Sequence, residues 1–119
     1  MNDFDFSVLA RNARLNGGFT IELATGASPA QTTRDLWSVG SGTDNDTLAS
    51  GTDFTATIRE GIHKAQAAGA THVGGWVVGD TIMVESVTIV EGRFEATALG
   101  EKRGEQAIYS LRDEVTLYL

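Results

Sequence analysis

The 119 residues contain no cysteine and a single proline, Pro29. Without thiols there can be no disulfide, no thiolate nucleophile and no zinc centre built on sulfur. The same absence fits a reducing compartment, so a cytoplasmic location is expected. No apolar run approaches the ~20 residues that span a bilayer. The opening MNDFDFSVLARN is acidic where an export signal is basic, and no membrane association is expected. Positive charge is also scarce: nine Lys and Arg stand against sixteen Asp and Glu, a formal net charge of −7. Nucleic-acid binding draws on Lys and Arg contacts that release counterions, so direct binding to nucleic acid is disfavoured. A basic protein partner is permitted, with plain solubility as the blander meaning of the same charge.

What the chain does have is periodicity. Phe6, Leu9, Ala10 and Ala13 form one helical stripe behind an acidic start, and Asn16-Gly17-Gly18 stops it. Phe19-Thr-Ile-Glu-Leu23 alternates as a half-buried strand does, and Asp35-Leu-Trp-Ser-Val39 reads as a second. Residues 40–52, GSGTDNDTLASGT, are almost wholly small and polar and are expected to form a mobile loop. Asp53 precedes a second helix whose stripe is Phe54, Ile58, Ile62 and Ala65. A hairpin follows, from His72 to Val78 and from Thr81 to Val90, with Gly79-Asp80 as a two-residue link. The apolar phase of the return strand shifts between Val84 and Val87, which suggests a β-bulge near Glu85-Ser86. A third helix over 93–103 is expected to turn Phe94, Ala98 and Leu99 inward. Strands over 105–110 and 115–119 close the chain. The order α-β-β-α-β-β-α-β-β describes one α+β domain over 1–119. Its antiparallel sheet has about five to six strands, with two to three helices packed on one side.

Candidate sites are few. In Gly74-Gly75-Trp76 the glycines permit close approach by a ligand or by a packed neighbour; with helix two against them, Trp76 covers the sheet. They lie within a strand and open no helix, which makes a poor phosphate site. His63 and His72 are nine residues apart across a helix–strand junction, which is not metal-ligand spacing. Asp44-Asn-Asp46 starts like a calcium loop but lacks the glycine and the twelfth-position glutamate that follow. No metal and no cofactor is expected. There is no G-x-S-x-G elbow, and catalysis is not expected. The one catalytic alternative pairs Glu85 with a neighbouring carboxylate such as Glu22 for acid–base hydrolysis. The remaining handle is acidic surface with aromatics (Trp37, Trp76, Tyr118) that could dock on Lys/Arg-rich protein surface. The expected partner-binding residues are Trp37, Asp44, Asp46, Asp53, Glu60 and Trp76. Exposed strand edges and Tyr118 also allow a homodimer.

Four pieces of the chain carry a resemblance: Gly75-Trp76, the valine-rich strand Val84 to Val90, Ala98-Leu99-Gly100, and Gln106-Ala107-Ile108-Tyr109-Ser110-Leu111. Together with GGFTIELATG, they resemble small uncharacterised proteins of bacteriophages and plasmids in Gram-positive bacteria. Residues 27–52 are unmatched, and Ser110 stands where those proteins usually carry Asp. The resemblance implies a non-enzymatic accessory protein of a mobile element. Such a protein would bind a host protein and block it, as an anti-CRISPR or anti-restriction inhibitor of host defence does. It carries over no catalytic residue, and fold alone fixes no function. A different class stays open beside it: a small-molecule or nucleotide binder with a pocket between helix 53–68 and strand 72–78.

Overall fold

Local signals set most of the element ends. The Asp5 carboxylate accepts the Val8 amide at 3.1 Å and caps α1 (Phe6–Asn16), satisfying a donor that the first turn leaves open. Gly17 ends α1 in the left-handed region, φ 82°, and its amide donates to the Ala13 carbonyl. The structure, a computed structural model, describes residues 5–29, 32–41, 47–50 and 53–119. After α1 come β1 (Gly18–Glu22), β2 (Leu36–Gly40) and β3 (Thr47–Ser50). Then follow α2 (Thr55–Ala67), β4 (His72–Val78), β5 (Thr81–Glu91), α3 (Arg93–Lys102), β6 (Ala107–Ser110) and β7 (Val115–Tyr118).

All strand pairs are antiparallel, in the order β1-β4-β5-β2-β6-β7, with β3 also paired to β5. The fold is a single α+β domain, and β3 brings the sheet to seven strands. Pairing register fixes which residues share a face, because opposed residues of an antiparallel pair point the same way. Even-numbered residues of β5 share their face with Val73, Gly75 and Val77 of β4 and with Trp37 and Val39 of β2. All three helices lie on that face. Phe54, Ile58 and Ile62 pack on Val73, Ile82 and Val84, joined by Ala10 and Ala13 of α1. Ala96 of α3 packs on Trp37, Val39 and Ile108. One sheet thus supports two adjoining cores.

Several expectations need correction. β5 has no bulge: its register with β4 runs unbroken from Val87 opposite His72 to Thr81 opposite Val78. The shift in apolar phase has another cause. Ile82 and Val84 pack under α2, whereas Val87 is buried on the opposite face. The discontinuity lies in the partner strand. Gly40 pairs with Val87 and Thr47 with Val84, so β5 changes partner from β2 to β3 across Glu85 and Ser86. The expected loop over 40–52 therefore contains the end of β2 at Gly40 and the whole of β3; its remaining residues, apart from Ser41, lie outside those described. In α3 the inward residues are Ala96, Leu99 and Gly100, while Phe94 and Ala98 are exposed. The four-residue step from Phe94 to Ala98 marks the outer side of this short helix, and only Leu99 of the expected three turns inward.

Glycines settle two close approaches. A Cβ on Gly61 would strike the Val84 side chain, so this glycine lets α2 sit directly on β5. Gly75 is covered by the Phe19 ring rather than by α2.

Candidate functional site

The face of the sheet opposite the helices is concave and carries a different chemistry. Across it run Thr20 of β1, Gly74 and Trp76 of β4, Met83, Glu85 and Val87 of β5, Ser38 and Gly40 of β2, and Tyr109 of β6. A groove of about 1040 Å³ crosses this face and rounds the β1 edge to reach Val8 and Asn12 of α1. Among the described residues its charged lining residues are Glu85 and Glu114. Trp76 at one end and Tyr109 at the other are both partly exposed, 40% and 38%.

Glycine shapes the floor. On Gly74 a Cβ would press on Val87 at 3.1 Å, so its absence keeps the floor low beside Trp76. At Gly40 a Cβ would meet the carboxylate oxygens of both Glu85, at 2.7 and 2.8 Å, and Glu105. The two carboxylates therefore share the space directly above Gly40. Glu22, the neighbour expected for Glu85, lies on β1 and accepts the Thr25 hydroxyl at 2.9 Å. Glu105 takes its place.

At the Tyr109 end the β6–β7 turn is tightly specified. The buried Ser110 hydroxyl accepts the Asp113 amide at 3.0 Å, and the Ser110 carbonyl accepts the Glu114 amide. Glu114 has φ 55°, the only positive value among the described non-glycine residues. That conformation is costly for a residue with a Cβ. It sets the Glu114 carboxylate near Tyr109, whose phenol is pushed above its ordinary range first by burial and then by that charge.

Of the six residues expected to bind a partner, the four that are described do not converge. Trp37 is 5% exposed on the helix face, and its Nε1–H donates to Asp35 Oδ1 at 2.8 Å. It is a core residue, so its expected role as a docking aromatic is overturned: the alternation of β2 turns it under α3. Asp53 and Glu60 are exposed on the helical layer, across the sheet from Trp76. Asp53 is engaged locally. It accepts the Thr55 amide at 2.9 Å, and hydrogen bonds from Thr55, with Arg14 beyond, hold its carboxyl below the ordinary range. Glu60 pairs with Lys64 at 3.4 Å. Asp44 and Asp46 lie outside the described residues. Of the four that are described, Trp76 alone lines the groove.

No family model, curated protein or solved structure matches this chain. The site therefore has to be read from its own atoms. The pocket expected between α2 and β4 is absent, because Ile58, Ile62, Val73 and Val84 fill that space with none of their surface exposed. Among the described residues no three His, Asp or Glu side chains converge as metal ligands, and no helix is long and apolar enough to cross a membrane.

Sequence reasoning missed three groups: Glu105, Glu114 and Tyr109. Only the alternation of Ala107 to Ser110 could have signalled Tyr109, since it places that ring opposite Ile108. Asp35 was also missed as a structural hub. Its carboxylate takes the Trp37 indole, the Arg93 amide at 3.1 Å and the Arg112 guanidinium at 3.7 Å, tying β2 to α3 and to the terminal hairpin.

Proposed function

We propose that this chain is a non-enzymatic binding protein that holds a basic segment of a partner protein in the groove on its open face. One observation carries the reading: among the described residues every charged side chain lining the groove is a carboxylate, and exposed aromatics flank the series. Glu85 and Glu114 would pair with Lys or Arg, Trp76 and Tyr109 would cover their aliphatic stems, and the net charge of −7 would speed the encounter. Proteins that handle nucleic acids present such Lys/Arg surfaces for phosphate, and the resemblance to phage and plasmid proteins makes a host protein of this kind the preferred partner. Blocking a defence nuclease is the corresponding role.

Titration with a Lys/Arg-rich peptide, followed by tryptophan fluorescence, tests the reading. Binding should weaken by about tenfold or more between low and physiological salt, since it rests on screened charge. Trp76→Ala, or Glu85→Gln together with Glu114→Gln, should abolish it, whereas Asp53→Asn should not. Equal binding of an acidic peptide would sink the proposal.

A second reading has one observation behind it: Glu85 and Glu105 meet above Gly40, and paired carboxylates are what acid–base hydrolysis requires. Under that reading Glu105→Gln abolishes turnover of a groove-bound substrate while leaving its affinity within about twofold.

A further inference from the structure

The terminal hairpin presents a second surface, independent of the groove. Among the described residues β7 pairs only with β6. The Leu119 amide donates to the Gln106 carbonyl at 2.9 Å, so in this ladder residues 115, 117 and 119 turn their polar groups toward β6. The amides and carbonyls of Thr116 and Tyr118 therefore point away from the sheet. Protected edges carry charge, proline or a bulge, and Val115-Thr-Leu-Tyr118 has none of these. At the opposite edge the chain turns back, and Ala27 accepts the outward Glu22 amide at 2.8 Å. Exposed apolar side chains also gather on this hairpin: Tyr109, Val115, Tyr118 and Leu119, with Tyr118 72% exposed.

We infer that β7 is a self-association edge through which two copies of this chain pair antiparallel, joining their sheets into one. Register follows from the pattern. Thr116 of one copy faces Tyr118 of the other, and each such pair exchanges two backbone hydrogen bonds. Leu117 faces Leu117 across the two-fold axis on the helix side, and Val115 faces Leu119. Sliding the ladder toward the turn would require Glu114, whose φ of 55° is not extended. Like charges are not opposed anywhere along the paired strands, so the contact is self-complementary as a two-fold interface must be. It is also small against the roughly 1,200–2,000 Å² of a stable interface, so the dimer is weak and exchanging. Two molecules of charge −7 repel at long range, so association strengthens as salt screens them, opposite to the salt dependence of the groove.

Sedimentation velocity over stepped protein concentrations, at low and high salt, reads this directly. Average mass should rise toward that of two chains, more so in high salt, and hydrogen exchange at the Thr116 and Tyr118 amides should slow with concentration. Thr116→Pro removes an outward donor and no bond to β6, and it should weaken association by about tenfold or more. Tyr118→Lys should do the same from an exposed position; should the proline variant fail to fold by circular dichroism, the lysine variant decides. Constant monomer mass at every concentration and salt overturns the inference. So does association that weakens with salt, or that the folded variants leave unchanged.

Discussion

The two faces of this sheet are made by the same strands and differ in almost everything else. Beneath the helices, alternate residues are Ile, Val and Trp, nearly devoid of exposed surface. On the open face the intervening residues are Gly, Ser, Thr, Met and Glu, with the aliphatic Val87 and Ile89 and aromatic rings left partly in water. Apolar burial scales with area removed from water, so the helix face contributes most of the stability. Polar and half-exposed aromatic groups add little to folding, but they recognise other molecules. The strands thus carry most of their apolar burial on alternate residues and present a mixed polar and aromatic surface on the intervening ones.

That contrast can be broken most severely from the helix side. Ile62→Ala empties a fully buried position and should cost about 2–5 kcal/mol in urea denaturation, whereas Trp76→Ala on the open face should cost about 0.5 kcal/mol or less. Equal losses would mean that the open face is core. Next in size, Asp35→Ala leaves the Trp37 indole without its partner and uncaps α3, so about 1–2 kcal/mol should be lost, with near-ultraviolet dichroism of the buried tryptophan altered. The smallest effect is set by pH. Asp5 is held below the ordinary range by hydrogen bonds from Ser7 and Val8, and Asp53 by those from Thr55. A depressed acid stabilises the fold above its unfolded pKa and loses that contribution as pH falls through the folded value. The thermal midpoint should therefore decline only on acidification below the ordinary carboxylate range. An Asp5→Asn, Asp53→Asn variant should show a shallower decline.

Helix stripes were legible because Phe54, Ile58 and Ile62 repeat at the helical period, and strands because Phe19 to Leu23 and His72 to Val78 alternate. The phase change in β5 was legible as an event and misread as a bulge. Period-two patterns record which face is buried, and here two different faces are buried along one strand. β3 was illegible, since Thr-Leu-Ala-Ser lacks β-branched density and owes its strand conformation to pairing with Thr81–Val84. The groove was hidden for a related reason. Glu85 is distant in sequence from Glu105 and Glu114, and the pairing of β2 with both β5 and β6, together with the β6–β7 turn, brings them to one face. Acid residues sought on α2 and in the 44–46 stretch looked equally eligible, because formal charge carries no address.

The step in register between β2 and β3 divides the partner side of β5 into two independent ladders. Each half is anchored to β5 by its own ladder, Leu36–Gly40 against Val87–Glu91 and Thr47–Ser50 against Thr81–Val84. Glu85 thus sits where β5 changes partner from β2 to β3, so the carboxylate end of the groove lies at the junction of two separately anchored ladders.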